Sequence, residues 1–414
     1  MRTPYGILVL TLIALCLAAT PVQAQEGSSA FDTLDAGQLA NVLAQMHMKE
    51  MLEAFQQGLG TSGDSLRPKL IVLNSQKAML DNASPQDRPK LINQVSSLYR
   101  EVIELAGQEP EKKREQREKD KAILRAFDLR FEFGEFLGSQ VIQNNTLNLL
   151  LLRGGQYDVD LILEKTVEAV KTLDQLQRDI EQTLQSWRGD PLRMVISLPK
   201  LEDLKKKVKY FSAWVYLNRG LALRGVADKK REREGLLRDA IVQANEFADG
   251  SEDSGVKYWA LLLRGTALRE LEEHHPATQS LQAAAACNDN QVRWRAKFEL
   301  TRLAIESGDK NAKGAIDAFA KFALEAFGQE QKMGVDLLQA LLTSYLYETQ
   351  AAKAKDPKLL VEGHKALLAF ANSYADDATV QEWCGIITNK YGRTCDLAKS
   401  NSMHLLGAGV AAMF

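Results

Sequence analysis

W-V-Y-L-N-R-G-L-A-L-R, residues 214–224, returns 45 residues later as W-A-L-L-L-R-G-T-A-L-R, residues 259–269. Seven of the eleven positions are identical: Trp214/Trp259, Leu217/Leu262, Arg219/Arg264, Gly220/Gly265, Ala222/Ala267, Leu223/Leu268 and Arg224/Arg269. A fainter third copy starts 35 residues further on at Trp294, where only Trp294 and Leu303 keep the pattern. Spacings of this size mark stacked helical hairpins, each leaving an apolar face for its neighbour to cover.

The flanks of the second copy give the hairpin its two halves. Leu261 and Leu268 fall four before and three after Gly265, on one helical face. His274-His275-Pro276 breaks that helix, and Ala277, Leu281 and Ala284 then outline a second amphipathic helix. Small residues let two helices approach closely while the large ones fill the groove between them.

This pattern resembles the tetratricopeptide repeat (TPR) family. Leu261, Gly265 and Leu268 match the bulky–small–bulky spacing of its first helix, and Ala277, Leu281 and Ala284 the spacing of its second. Gly308-Asp309 with Ala315 to Phe319 resembles the turn and second helix of a third unit. Ala366 and Phe370 repeat that spacing after Leu337–Tyr347. The chain departs from the family where Arg219 and Arg264 replace Leu, where Asp228 to Glu234 insert between helices, and where the closing Pro is missing. The resemblance covers residues 205–375. It implies a groove lined by the first helices that binds a protein or peptide partner. Its wall positions would be Trp214, Trp259 and Trp294, with Arg224 and Arg269 further along. Trp and Arg dominate binding hot spots, and a pair of Arg can clamp carboxylates. The bland alternative is that the Trp fill gaps between hairpins and the Arg are solvated.

Composition supports an all-α chain. Long stretches rich in Ala, Leu, Glu, Lys, Arg and Gln dominate the 414 residues, and 45% hydrophobic content is enough for a substantial core. A formal net charge of -2 argues against general nucleic-acid binding, which needs a basic face.

The first 24 residues read as a signal peptide: Arg2, an apolar run from Ile7 to Ala19, and small residues at Val22-Gln23-Ala24, with cleavage expected before Gln25. Leu15 before Cys16 is too bulky for a lipoprotein site. The expectation is an exported, periplasmic or extracellular protein. Export would leave Cys287, Cys384 and Cys395, an odd number that is no disulfide framework. Cys384 and Cys395 are a candidate bridge, and Cys287 reads as a small core residue.

Along the chain, residues 25–33 read as a linker, and Leu39, Val42, Leu43, Met46 and Leu52 as an amphipathic helix. Helices are expected over Leu70–Leu80, Leu91–Leu105, Ile123–Leu137 and Val159–Trp187. The charged run Glu111 to Lys121 reads as an exposed helix face. The run Leu147 to Leu152 is strongly apolar but too short to span a bilayer, so it reads as a buried helix. A soft boundary falls near Pro199. The domains expected are therefore a signal peptide over 1–24, an unassigned helical region over 25–199, TPR-like repeats over 200–400 and an apolar tail over 401–414. Leu201, Leu204, Val208 and Phe211 share one face of a Lys-rich segment from Lys200 to Lys209. That segment and the tail leave peripheral membrane contact open; no integral span is expected after signal cleavage.

Several motifs look chemical without supporting chemistry. Gly58-Leu59-Gly60-Thr61-Ser62-Gly63 fits a dinucleotide pattern but follows a helix rather than a strand. Ser197-Leu198-Pro199-Lys200 fits S-x-x-K, yet Pro199 makes the shared helical turn awkward. Glu272, Glu273, His274 and His275 read as a hairpin turn rather than metal ligands. His47 and Glu50 share a face without a partner, and Asp249, Ser251 and Asp253 lack the glycine and glutamate of a calcium loop. No catalytic residue, metal or cofactor is expected. The reading is a stacked array of antiparallel helical hairpins, an α-solenoid of TPR type, acting as a binding scaffold in a bacterial envelope assembly and not as an enzyme. Two alternatives stay open: an envelope enzyme with accessory repeats, and a fragment of a longer array.

Overall fold

The computed structural model describes residues 66–374 except 82, 84–86, 153–154, 251–254 and 357. The expected signal peptide, linker and first helix, the Gly58–Gly63 turn, His47 and Glu50, the Cys384–Cys395 pair and the 401–414 tail lie outside the described residues. Among the described residues every regular element is helical.

The chain divides into two compact units, residues 1–108 and 109–414. In the first, α1 (Leu66–Asp81) and α2 (Arg88–Lys112, whose last turn crosses the division) bury Leu73, Leu80, Val95, Tyr99 and Val102. Lys69 pairs with Glu101, and the Lys77 ammonium stands 5.5 Å from the Tyr99 ring centre.

In the second unit the helices follow in order: α3 (Gln116–Glu135), a π-helical turn (Phe136–Val141), α4 (Gln143–Leu150), α5 (Gln156–Trp187) and the short α6 (Pro191–Ile196). The repeats follow as α7 (Leu198–Ala222), α8 (Lys230–Ala248), α9 (Gly255–Glu270), α10 (His274–Ala285), α11 (Asn290–Ser307), α12 (Ala312–Phe327), α13 (Lys332–Ala354) and α14 (Lys358–Ser373). From α7 to α14 each helix packs on the next, while α7, α9, α11 and α13 also touch one another in sequence. This is a stack of helical hairpins in which the first helices share one wall. Pro199 sits in the first turn of α7, and α7 packs broadly on α5, so the expected break near Pro199 is a helix start inside the second unit.

The repeated glycines explain the repeat. A Cβ built on Gly220 would lie 2.8 Å from Leu237 Cδ2 of α8, and one on Gly265 would lie 2.6 Å from Leu281 Cγ of α10. In each hairpin, therefore, the second helix presses a fully buried leucine into the space where the first helix has no side chain, and an alanine three residues later (Ala240, Ala284) keeps the helices close. The third copy has Leu300 at the glycine position. Its hairpin closes instead through Phe298 against Phe319, centroids 5.4 Å apart.

The arginine before each glycine, unusual for the resembled family, ties its hairpin together. Arg219 donates to Glu232 at 2.8 Å and to the Leu163 carbonyl at 3.1 Å, joining α7 to α8 and α5. Arg264 donates to Asp249 at 2.6 Å and to Ser280 at 2.8 Å. The insertion Asp228–Glu234 forms a 3-10 turn and the first residues of α8, and supplies Glu232. The charged run Glu111–Lys121 breaks between α2 and α3, and one of its members is no solvated charge: Asp120 is buried against Arg193 at 2.9 and 3.0 Å. Cys287 is a free, buried thiol within the α9–α10–α11 core.

Candidate partner-binding site

The repeat places Trp214 and Trp259 side by side, one helix apart on the shared wall. Their rings meet edge to face with centroids 6.0 Å apart, and both remain half-buried. They border a cavity of about 470 Å³ whose other walls are Tyr210 and Phe211 of α7, Arg295 of α11 and, across from them, Gln143, Thr146 and Leu147 of α4. The Arg295 guanidinium lies 5.1 Å from the Trp259 ring centre and 5.8 Å from that of Trp294, a stacked cation on aromatic faces. Burial holds the Arg295 pKa below its usual value, with Asp289 opposing, and burial pushes the Tyr210 hydroxyl up.

Three polar atoms of residues around this cavity make no hydrogen bond: Thr146 Oγ1, Asn218 Oδ1 and Arg295 Nε. Leaving such an atom unpaired in a buried position costs about 1–3 kcal/mol. An apolar cavity with a few convergent polar groups has the make-up of a ligand site.

Trp294 does not line this cavity. It is 8% exposed, packs with Phe298, Ile316 and Phe319 in the core, and donates from Nε1 to Gln291 Oε1 at 3.1 Å. The third copy has lost its glycine, and its tryptophan fills the gap beside Phe327.

The repeated arginines at the far end of the same helices meet a different environment. Arg269 is 2% exposed and fully engaged: Nε donates to Glu299 at 2.6 Å, Nη1 to Glu306 at 2.8 Å and Nη2 to Glu270 at 2.8 Å. It is therefore not free to meet a partner, and the expectation that it clamps a partner's carboxylate is corrected: three acids of the chain hold it already. Arg224 is different. Its side chain is 46% exposed, it donates to the Tyr345 hydroxyl at 3.1 Å and lies 3.8 Å from both Glu270 and Glu306. Arg233 of α8 also donates to Glu270, at 2.6 Å. Burial alone would raise the Glu270 carboxyl, but Arg269, Arg224, Arg302 and Arg233 outweigh it and hold it well below the usual range. Burial opposes and Glu299, Glu270 and Glu306 raise the Arg269 pKa.

The wall between these two ends is covered by the chain itself. Leu151 is buried with Phe298 and Ile305, Leu150 packs on the Leu217–Leu221 cluster, and Arg302 Nη1 donates to the Leu150 carbonyl at 3.0 Å. Of the apolar run Leu147–Leu152, expected as a buried helix, only Leu151 is buried; the other leucines are partly exposed, and the helix ends at Leu150. One cavity borders α4 from Gln143 to Leu150, and the other borders Leu149 and Leu152 at its end.

Sequence reasoning found Trp214 and Trp259 and missed Asn218, Arg295 and Thr146. One signal was available: Asn218 stands where the second copy has Leu263. Among the described residues no group of three His, Cys, Asp or Glu is placed to hold a metal ion, and no helix is long and apolar enough to cross a membrane.

No protein-family model matches the chain, and no curated protein matches it. Among solved structures, a "Circular tandem repeat protein with novel repeat topology and enhanced subunit contact surfaces" is similar at 14% identity, over 92% of this chain and 94% of that one, with a TM-score of 0.24.

Proposed function

We propose that this chain is an exported, TPR-like interaction scaffold that binds an extended peptide segment of a partner protein, without turnover, at the Trp214–Trp259 cavity. The observation that carries this reading is the cavity's combination of aromatic walls with three unpaired polar atoms. A large apolar side chain fits between Trp214, Trp259 and Phe211. Asn218 and Arg295 line the same cavity and supply side-chain hydrogen-bonding groups for the backbone around it. Export rests on the sequence of residues 1–24, and an envelope assembly is the setting that such a leader favours.

The test is selection from a random-peptide display library on the full chain, followed by fluorescence anisotropy on the selected peptides. Peptides centred on a large apolar or aromatic residue are expected, with affinity falling tenfold or more in Trp259→Ala of unchanged circular dichroism. Equal affinity in that variant sinks the assignment of the cavity. For export, sequencing the N-terminus of the chain expressed in a bacterium should give Gln25 first; an intact Met1 in the cytoplasm overturns it.

A further inference from the structure

The second cavity, about 320 Å³, lies at the arginine end of the repeat wall. Its lining combines aliphatic residues, Leu149, Leu152, Val159 and Leu341, with charged ones, Arg224, Glu270, Arg302 and Glu348. We propose that it binds an aliphatic monocarboxylate, with the carboxylate held by Arg302 and Arg224 and the tail lying along the leucines. The site is separate from the Trp214–Trp259 cavity and does not depend on what that cavity binds.

Two observations carry this. Arg302 is 1% exposed, yet its Nε and Nη2 make no hydrogen bond; Nη2 stands 3.8 Å from Glu270 and 3.6 Å from Glu306, within ion-pair reach but beyond hydrogen-bond length. A guanidinium presents its donors as a fixed planar fork, and Nε with one Nη is the edge that grips a carboxylate bidentately. Four guanidiniums, Arg224, Arg233, Arg269 and Arg302, gather here with the carboxylates Glu270, Glu299 and Glu306. Glu348, also on the wall, accepts a hydrogen bond from Ser344, and burial raises its pKa. Finally, Arg224 is the one member of the cluster with a half-exposed side chain, so an anion reaching the cavity meets it first.

The chemistry is shared by a free aliphatic acid and by the C-terminal carboxylate of a chain ending in an apolar residue, and the experiment separates them. Isothermal titration calorimetry at two temperatures would follow octanoate, octan-1-ol and N-acetyl-leucine binding to the full chain. Octanoate or N-acetyl-leucine should bind at one site, with an enthalpy that becomes more negative on warming as apolar surface is buried. Octan-1-ol should bind at least tenfold more weakly than octanoate. Preference for octanoate assigns a free acid, and preference for N-acetyl-leucine assigns a chain terminus. Arg224→Gln should weaken the bound acid about tenfold, and Val159→Phe, which fills the cavity from α5, should abolish it while leaving peptide binding at the other cavity intact. Absence of binding by both acids, equal affinity for octanoate and octan-1-ol, or unchanged affinity in both variants would overturn the proposal.

Discussion

At Trp214 and Trp259, helices α7 and α9 hold two half-buried rings beside an open cavity. Ten residues further along, the same alignment puts Arg224 and Arg269 at the other end of the wall, where one cation is half exposed and the other is sealed among three acids. Both pairs are repeats of the same sequence positions, and repetition fixed only which wall they face. What each side chain can do was decided by residues that do not repeat. Glu299 and Glu306 of the third copy and Arg233 of α8 close the arginine end, whereas Arg295 and the α4 segment leave room at the tryptophan end. A duplicated surface residue therefore marks geometry, and its neighbours set its function.

The sharpest way to break this comparison is at the closed end. Glu270→Gln removes the acid shared by Arg269, Arg233, Arg224 and Arg302 and leaves buried cations short of a partner. A loss of about 3–5 kcal/mol is expected, read as a fall in the urea midpoint followed by circular dichroism at 222 nm. A loss within that of a surface substitution would mean the network is neutral to stability. The same group gives a pH dependence. The folded Glu270 pKa lies below its unfolded value of about 4.3, so its contribution is complete above that pH and disappears as pH falls through the folded value. The midpoint of the wild-type chain should drop below about pH 4.3, and Glu270→Gln should flatten that drop.

A middle-sized effect tests whether the two hairpins are packed alike. Gly265→Ala would bring a Cβ to 2.6 Å from Leu281 Cγ and to 3.2 Å from the Leu281 backbone nitrogen, whereas Gly220→Ala meets only the Leu237 side chain closely, with backbone no nearer than 3.9 Å. Side-chain ends can turn away; a backbone atom moves only with its helix. Gly265→Ala should therefore cost about 1–3 kcal/mol and Gly220→Ala less, by the same denaturation assay. Equal losses would show that α8 and α10 are equally free to shift.

The fold was legible because its signal is local and repeated. Gly265 with Leu281 is a short-range pair whose spacing announces a hairpin, and the structure shows the same packing for Gly220 with Leu237. The site was legible only in part. Trp214 and Trp259 carry the repeat, but the opposite wall comes from Gln143, Thr146 and Leu147, some seventy residues earlier, and no periodicity links α4 to α7. Arg269 was misplaced for the converse reason. Its acids Glu299 and Glu306 lie in the copy that has diverged most, so the pattern that located the arginine was silent about its partners. Asp120 is a similar case, a member of a charge run whose partner, Arg193, lies 73 residues away.

The smallest expected change in stability separates function from folding most cleanly. Asn218 is 5% exposed, its Oδ1 accepts no hydrogen bond, and the homologous position of the second copy is Leu263, itself buried. A chain selected only for stability would carry the leucine in both copies, because an unpaired buried carbonyl is a penalty and leucine is not. Asn218→Leu should accordingly stabilise the fold by about 1 kcal/mol, while peptides selected on the wild-type cavity lose affinity because their backbone N–H has no acceptor there. The two effects run in opposite directions, which a merely structural role for Asn218 does not produce. A variant that is both less stable and equally competent to bind would assign Asn218 to packing, and the open end of the wall would then be no more a site than the closed one.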